Sequence, residues 1–306
     1  MADSAYRIGR DFAGRSRATA FAIVVGAYAL AFLAAIAAAS MLSGRHPITV
    51  LFWADIAGTV AIFLLSMVVA NSSLYDPYWS VAPPLIIGGW LVWHLSQGDP
   101  PASLRHWLML GLVTVWAVRL TANWAIGWTG LGQEDWRYVQ IREDTTGRAP
   151  WWLVSFTGIQ LMPTLFVFLG LLSAWPAIIG WRPFGVLDVL GVIVMVVAIG
   201  LETVADLQLR RFSADPANRG KTVDVGLWRL SRHPNYLGEI MLWWGLWLFG
   251  LAAAPNWWWT IIGPLAMVGL FLWISVPLME RRSLARRSDY AKYQQEVSVL
   301  VPWPRR

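Results

Sequence analysis

The chain contains no cysteine. It therefore forms no disulfide, offers no thiolate to a metal and has no cysteine nucleophile. Charged residues are also scarce, at 14% of 306 residues, whereas hydrophobic residues reach 57%. A soluble domain needs more polar surface than this composition provides. The two shortages exclude thiol chemistry and predict an integral membrane protein.

Several catalytic signatures are missing as well. The four histidines show no H-x-x-x-H spacing, and neither a G-x-S-x-G turn nor a P-loop occurs. We therefore expect no metal site and no serine triad. We also expect no cleavable signal peptide, because the first apolar run is long and lacks a clear cleavage site.

Long apolar runs fill most of the chain. They cover residues 18–42, 48–70, a third run ending near 96, 104–125, 151–175, 184–205, 237–254 and 256–278. A run of about twenty apolar residues is long enough to cross a bilayer as a helix. We predict an all-α fold, a polytopic transmembrane helical bundle of about eight helices, with seven as the alternative. The runs indicate a single membrane domain over residues 1–306.

Lysine and arginine gather in alternate connections between the runs. The N-terminal segment, the connections 71–79, 126–150 and 207–236, and the tail from 279 hold 4, 0, 3, 6 and 7 of them, 20 in all. The opposite connections hold Arg45, Arg105 and Arg182. Cytoplasmic loops are enriched in these residues, so we place both termini in the cytoplasm. The net charge of +6 then suits anionic membrane lipids and requires no nucleic acid.

Three polar side chains stand out inside the apolar runs, where such groups are costly and often functional. Asp55 lies in the middle of the second run, where it either bonds a neighbouring helix or belongs to a site. Arg119 and Asn123 are four residues apart and share one helical face. Arg119 either extends to the membrane surface or contacts a ligand.

The densest polar segment is Glu202–Glu239, between two apolar runs, and six Lys and Arg lie in it. Glu202, Asp206 and Arg210 are spaced four residues apart, so they share a helical face. Pro234 suits the first turn of the next helix. Cations and amides around a helix start predict a phosphate-binding site. The alternative is a basic loop beside the membrane.

Part of this segment is similar to a known family. Gly220–Glu239, GKTVDVGLWRLSRHPNYLGE, with ADLQLRRF before it, resembles the bacterial branch of the steroid 5α-reductase-like membrane family. The resemblance extends to NSSLYDPYWSVAP, to GLGQEDWRYVQIRE and to the tail SDYAKYQQEVSVLVPW. It implies an all-helical membrane fold that holds NADPH between its C-terminal helices and cytoplasmic loops. It also implies reduction of an activated carbon–carbon double bond.

The resemblance implies which residues bind the cofactor, in a part of the chain covering about 184–306. The positions that match the family's cofactor-binding residues are Asp206, Arg210, Lys221, Asn235, Tyr236 and Glu239. The same polar segment adds the candidates Glu202, Arg211, Arg232 and His233. We expect NADPH rather than NADH, because a 2′-phosphate requires cations, and Arg210, Arg211 and Lys221 are the nearest supply.

The resemblance also places Asp76 where steroid-reducing members have a Glu that holds the substrate carbonyl. Hydride addition to an enone builds negative charge on oxygen, so an acid must face that oxygen. Asp76 is the first candidate for this catalytic acid, and Tyr78 and Glu239 are the alternatives. Asp76 followed by Pro77 also fits a helix N-cap, and one residue can serve both roles.

At other positions the chain departs from the steroid-reducing members. Tyr75 replaces a Gln, Trp116 replaces a carbonyl-binding Tyr and Met279 replaces a His of the tail. With the polar residues inside the runs, this gives the candidates for substrate binding, which are Asp55, Trp116, Arg119 and Asn123. We expect a lipophilic substrate that enters from the bilayer.

Two other functions are compatible with parts of the sequence. The Arg-His-Pro-x-Tyr core also occurs in isoprenylcysteine carboxyl methyltransferases, whose cofactor, S-adenosylmethionine, has no phosphate to engage the six cations. A transporter would have polar residues at several depths, whereas here they gather at the cytoplasmic end. We therefore expect an NADPH-dependent reductase in the inner (cytoplasmic) membrane of a bacterium. The sequence does not indicate an oligomeric state.

Overall fold

A computed structural model of the protein describes residues 12–98 and 101–305, and this part of the chain contains no β-strand. The first half contains α1 (Arg17–Met41), α2 (Pro47–Val68), a 3₁₀ turn (Ser72–Tyr75), α3 (Tyr78–Ser96), α4 (Leu104–Gly127) and α5 (Trp136–Thr145). Next come α6 (Trp151–Val154), a π-helical segment (Ser155–Leu161), α7 (Met162–Leu171), α8 (Ala174–Ile179) and α9 (Val186–Ala214). After two 3₁₀ turns (Pro216–Asn218 and Gly226–Arg229) the chain forms α10 (Pro234–Ala253) and a 3₁₀ segment (Pro255–Ile261). It ends with α11 (Ile262–Leu270), a π-helical segment (Phe271–Ser275), α12 (Val276–Arg286) and α13 (Tyr290–Glu296).

All eight predicted runs are helical, and the all-α membrane fold is confirmed. Within the described residues, seven helical stretches are long and apolar enough to cross a membrane: 17–41, 47–68, 104–127, 151–179, 186–214, 234–253 and 255–286. The remaining run is α3, whose 19 residues include Trp, Gly, Pro and His, which lower its mean hydropathy. Seven is the smaller of the two predicted counts, and a crossing by α3 stays a prediction.

Contacts divide the chain into two compact units. The first unit comprises residues 1–102 and 113–168. In it, α1 and α2 pack against each other, and small residues of α1 such as Ala20 and Ala31 are fully or almost fully buried. The buried hydroxyls of Thr59 and Thr164 are 2.9 Å apart and link α2 to α7.

The second unit comprises residues 103–112 and 169–306. Its main contact is between α9 and α10, and glycines allow their backbones to approach. A Cβ on Gly238 would lie 2.5 Å from Glu202 Cγ and 2.8 Å from the Ala198 carbonyl oxygen. A Cβ on Gly191 would lie 3.1 Å from the carbonyl oxygen of Gly245. Small residues between membrane helices permit this close packing.

The helix α9 continues nine residues past the end of the predicted run, and the following segment folds back onto it. Leu227 N donates to Gln208 Oε1 at 2.9 Å, and Trp228 Nε1 donates to the Ala205 carbonyl at 3.0 Å. Ala205, Val223 and Trp228 form a small buried cluster. This fold-back fixes the start of α10, where Pro234 occupies the first turn as predicted.

Candidate functional site

The second unit contains a cavity of about 230 Å³ where the start of α10 meets α12 and α13. Its wall combines an apolar part, formed by Leu209, Val223, Trp228 and Met279, with arginines and other hydrogen-bonding side chains. The charged and polar lining residues are Thr222, Arg232, His233, Asn235, Tyr236, Arg282, Ser283, Arg286, Arg287, Tyr290 and Tyr293. Pockets that enclose a whole small molecule have volumes of about 300–1,000 Å³. This cavity therefore suits one anionic portion of a larger ligand.

Glu280 contacts two of the residues that line the cavity, Arg232 and His233. Its Oε1 accepts a hydrogen bond from Arg232 Nε at 2.7 Å and lies 3.3 Å from His233 Nε2. Its Oε2 accepts from Gln294 Nε2 at 2.6 Å. The rings of His233 and Tyr236 stack, with centroids 5.2 Å apart and planes at 7°. One buried carboxylate therefore holds α10, α12 and α13 together.

The C-terminal tail is bound along the segment that precedes α10. Arg232 Nη1 donates to the carbonyls of Gln294 at 2.5 Å and Val297 at 2.7 Å. Ser231 and Ser298 form an isolated parallel bridge. The hydroxyl of Tyr293 donates to the Trp228 carbonyl at 2.5 Å. The cavity is thus built jointly by the fold-back segment and the tail.

A second carboxylate, Asp289, fixes the opposite rim. It accepts from the backbone N–H of Thr222 at 3.0 Å and from the Thr222 hydroxyl at 2.6 Å. Burial acts to raise the pKa of Asp289, but these hydrogen bonds outweigh it and hold that pKa below its ordinary value. Asp289 therefore stays ionised and engaged with Thr222, and the nearby charge of Arg287 also lowers its pKa.

Four of the predicted cofactor-binding residues line this cavity: Arg232, His233, Asn235 and Tyr236. Asp206 lies next to one of them, since Asn235 Nδ2 donates to Asp206 Oδ1 at 3.3 Å. Arg232 was predicted to bind the cofactor. Its guanidinium instead bonds Glu280 and two backbone carbonyls, so it helps to form the wall of the cavity.

The other predicted cofactor-binding residues lie outside the lining. Arg210, Arg211 and Lys221 are exposed, and Lys221 is adjacent to the lining residue Thr222. Glu202 and Glu239 are buried on α9 and α10. Glu239 Oε1 accepts a hydrogen bond from Trp243 Nε1 at 3.3 Å, one helical turn later.

Sequence reasoning missed the arginines of α12. Arg282 and Arg286 are four residues apart, and Arg287 follows at the end of the helix. All three line the cavity with Ser283 between them. Their spacing marks one helical face. This spacing and the resemblance of the adjoining tail were the signals that could have identified them.

In the first unit, Asp76 does not cap a helix. The N-cap position of α3 is Pro77, without a side-chain hydrogen bond, so the N-cap prediction was wrong. The reason is that Ser72–Tyr75 already forms a 3₁₀ turn, and Asp76 ends it. Asp76 Oδ1 instead accepts a hydrogen bond from the Tyr138 hydroxyl at 2.7 Å. The carboxyl is therefore paired with α5.

Tyr78, a candidate proton donor, is bonded to Asp55, a candidate for substrate binding. The hydroxyl of Tyr78 lies 2.8 Å from Asp55 Oδ1 and 3.0 Å from the Asp55 carbonyl oxygen, and both contacts have hydrogen-bond geometry. Tyr75 stacks on Tyr78, with ring centroids 5.4 Å apart, and its hydroxyl bonds Thr164 at 2.8 Å. Asp55 therefore makes the expected hydrogen bond between two helices, α2 and α3, and a role of Asp55 in a site stays a prediction.

The remaining substrate-binding candidates lie on α4. Trp116 is fully buried, whereas Arg119 and Asn123 are partly buried on one face. Over residues 12–98 and 101–305, no three His, Asp or Glu side chains come together in a way that suits a metal ion.

The fold defines a class: a multi-helix membrane protein, whose second unit contains an arginine-lined cavity. The chain belongs to a family described as a protein of unknown function (DUF1295), whose model matches residues 62–297. It is also similar to an uncharacterised protein of Schizosaccharomyces pombe, with 30% identity over 257 residues, covering 76% of this chain and 73% of the yeast protein. No solved structure matches the chain.

Proposed function

We propose that this chain is an NADPH-dependent membrane reductase that reduces an activated carbon–carbon double bond in a lipophilic, enone-type substrate. Bound NADPH supplies the hydride. The chain's own residues hold the cofactor and supply a proton to the substrate oxygen. The cytoplasmic membrane of a bacterium is the location that the resemblance to the bacterial branch suggests.

The observation that carries this proposal is the charge of the cavity wall. Arg282, Arg286 and Arg287 line a volume of about 230 Å³ together with the hydroxyls of Thr222 and Ser283. Guanidinium groups match phosphate oxygens in geometry and charge. We assign this cavity to the 2′-phosphate of NADPH, the group that NADH lacks. The assignment moves phosphate recognition from Arg210 and Arg211 to α12.

The methyltransferase alternative fits this cavity less well. S-adenosylmethionine carries a cationic sulfonium and no phosphate, so a wall of arginines would repel its charged centre. Glu280 forms an ion pair with Arg232, and the lining contains three further arginines, Arg282, Arg286 and Arg287. A transporter gains no support from a cavity confined to the start of α10 and the tail.

The test is nucleotide binding by the purified full-length protein, measured by calorimetry for NADPH, NADH and S-adenosylmethionine. We expect NADPH to bind tightest. Arg286→Ala removes one charged contact and should weaken NADPH binding by about 1–3 kcal/mol, which is roughly 5- to 150-fold. NADH binding should change far less, because it lacks the 2′-phosphate.

Arg281→Ala is the matched control, since Arg281 is exposed, lies on the same helix and is not in the cavity lining. It should leave the affinity for both nucleotides unchanged. Equal affinity of the wild type for NADPH and NADH would refute the 2′-phosphate assignment. Tight binding of S-adenosylmethionine with no binding of either nucleotide would replace the reductase with the methyltransferase.

A further inference from the structure

The helix α5 is fastened to the polar turn that carries Asp76. The Asn71 side chain donates to the carbonyls of Leu131 at 2.8 Å and Gln133 at 3.0 Å. Ser72 N donates to Glu134 Oε1 at 2.9 Å. These residues immediately precede α5, so the start of that helix is held in a fixed position relative to the turn.

Asp135 completes this attachment and orients the first turn of α5. Its backbone N–H donates to the Ser73 hydroxyl oxygen at 2.7 Å. Its carboxylate caps the helix by accepting from Arg137 N at 2.8 Å and also bonds the Arg137 guanidinium at 2.8 and 3.0 Å. Tyr138 is the next residue, and its hydroxyl reaches Asp76 Oδ1 at 2.7 Å.

Asp76 is surrounded by protein atoms yet keeps part of its surface accessible. Among its immediate neighbours, Ser72–Tyr75, Pro77 and Tyr78 are buried, whereas Asp76 is only partly so. Burial raises the pKa of Asp76 to about 7, against the lowering effects of Arg137 and of the Tyr138 hydrogen bond. The other groups whose charges act on this carboxyl or respond to it are Asp135, Tyr28 and Tyr75.

We propose that Tyr138 is the positioning residue of Asp76, and that Asp76 held in this way is the acid that protonates the substrate oxygen. This proposal rests on the reductase function proposed above. Tyr138 donates to one carboxyl oxygen in both protonation states of Asp76, so it fixes the orientation of the group. It also stabilises the carboxylate that remains after proton transfer.

The hydride adds to the β-carbon of the enone. The electrons of the carbon–carbon double bond form a new double bond between the α-carbon and the carbonyl carbon, and the carbonyl π electrons move to the oxygen. The O–H bond of the Asp76 carboxyl breaks, its proton goes to that oxygen, and its electron pair stays on Asp76. The resulting enol tautomerises to the saturated ketone, and Asp76 regains a proton from water. The sum is one enone, one NADPH and one proton consumed.

Tyr78 is less suited to this role. Its hydroxyl proton points to Asp55 at 2.8 Å, so donation to a substrate would break that bond. Burial and the neighbouring Asp76 charge raise the pKa of Tyr138 well above its ordinary value, which keeps Tyr138 a neutral donor. Asp76 is therefore the group of the pair that gives up its proton.

The experiment is an infrared pH titration of the full-length protein in lipid nanodiscs, from pH 4 to 9. Asp76→Asn identifies the carboxylic C=O band that belongs to Asp76. In the wild type this band should disappear with a midpoint near pH 7. In Tyr138→Phe the midpoint should rise by about one to two pH units, because the carboxylate loses a donor.

Tyr28→Phe is the matched control, since the Tyr28 hydroxyl donates to the Leu74 carbonyl rather than to Asp76. It should leave the midpoint in place. The second measurement is the pH profile of NADPH oxidation with 4-cholesten-3-one, a lipophilic enone, as the probe. The pH near 7 at which the rate falls to half should shift in Tyr138→Phe by the same amount as the infrared midpoint.

An Asp76 band that is already lost by pH 5, or a midpoint that Tyr138→Phe does not move, overturns the proposal even if NADPH is oxidised. This infrared result does not depend on the cofactor. Failure of the reductase assignment shows separately, as absence of NADPH binding in the wild type, and it removes the catalytic role of Asp76.

Discussion

Arg105 and Asp188 form a bidentate ion pair inside the second unit. Arg105 Nε lies 2.6 Å from Asp188 Oδ1, and Nη2 lies 2.8 Å from Oδ2. The side chains retain only 4% and 0% of their accessible surface. Arg105 also donates to the carbonyls of Arg182 and Pro183, and Asp188 Oδ2 accepts from Gly185 N. The pair joins the start of α4 to the start of α9.

Removing one partner of this pair should destabilise the protein strongly. Asp188→Ala leaves a buried guanidinium without its carboxylate, which costs about 3–5 kcal/mol. Thermal unfolding in detergent micelles measures the loss. Glu143→Ala is the control, because Glu143 is exposed, and its effect should stay within about 0.5 kcal/mol. Equal unfolding temperatures for the two variants would contradict this account of the pair.

Glycine at 238 is required by the packing of α9 against α10. In Gly238→Ala the new methyl group would overlap Glu202 and the Ala198 carbonyl, so the helices must separate, at a cost of about 1–3 kcal/mol. Gly200→Ala, inside α9, meets no atom within 4 Å and should be neutral or stabilising by about 0.5–1 kcal/mol. Gly238→Ala should therefore lower the unfolding temperature, whereas Gly200→Ala should leave it unchanged or raise it. A loss of stability in Gly200→Ala as large as that in Gly238→Ala would contradict this account.

Topology is testable with single cysteines, because the natural chain has none to interfere. With eight crossings, Arg45→Cys and Arg182→Cys should react with a membrane-impermeant maleimide added outside, and Arg219→Cys should react only after permeabilisation. If α3 does not cross, every later connection changes side. Arg45→Cys then still reacts from outside, Arg219→Cys also reacts from outside, and Arg182→Cys reacts only after permeabilisation. That exchange would fix the count at seven.

Stability should depend on pH through Asp76. Because its pKa is raised to about 7, the folded protein keeps a proton between about pH 4 and 7 that the unfolded chain has released. The contribution of the Asp76 proton to the unfolding free energy is therefore fully present below about pH 4, and it is lost as the pH rises to 7. The unfolding free energy of the wild type, compared with that of Asp76→Asn, should decrease over this window. A constant difference would show that the carboxyl is ionised throughout.

Lys221 provides a second test of nucleotide recognition. It is exposed and precedes Thr222, a residue of the cavity lining. Lys221→Ala should weaken NADPH binding by roughly 1–3 kcal/mol if its ammonium contacts the 2′-phosphate. Calorimetry at two salt concentrations helps to distinguish a direct contact from general attraction, because salt weakens long-range attraction more than it weakens a direct contact. An unchanged affinity would leave recognition to α12 alone.

Much of the fold was predictable because apolar runs determine membrane helices locally. The starts of α4 and α10 follow from Leu104 and Pro234, and all eight runs proved helical. The extension of α9 to Ala214 was less evident, because the residues beyond the run are polar and helix-forming rather than apolar. Its polar end is held by the fold-back of Trp228, which local sequence does not reveal.

The candidate site was predicted only in part, because most of its contacts join residues that are far apart in the sequence. Asn235 and Tyr236 lie beside a helix start, and a local pattern identified them. Glu280 bonds Arg232, which is 48 residues earlier in the sequence, and no local pattern predicts such a pairing. Asp76 was misread as a cap, because its partner Tyr138 is 62 residues away. Local rules therefore located the segments, and tertiary contacts decided what each side chain bonds.

The contact between Arg232 and the tail also has a consequence for biosynthesis. The Val297 carbonyl that receives the Arg232 guanidinium is translated 65 residues later. At about 5–20 residues per second, the cavity stays open on that side for about 3–13 s after Arg232 is made. Between these two events the ribosome must deliver the whole stretch 255–286. A nascent chain that stalls there would have α10 but not the tail that closes one side of the cavity. Its Arg232 side chain would then lack its carbonyl partners, and we expect quality-control proteases to degrade such a chain faster.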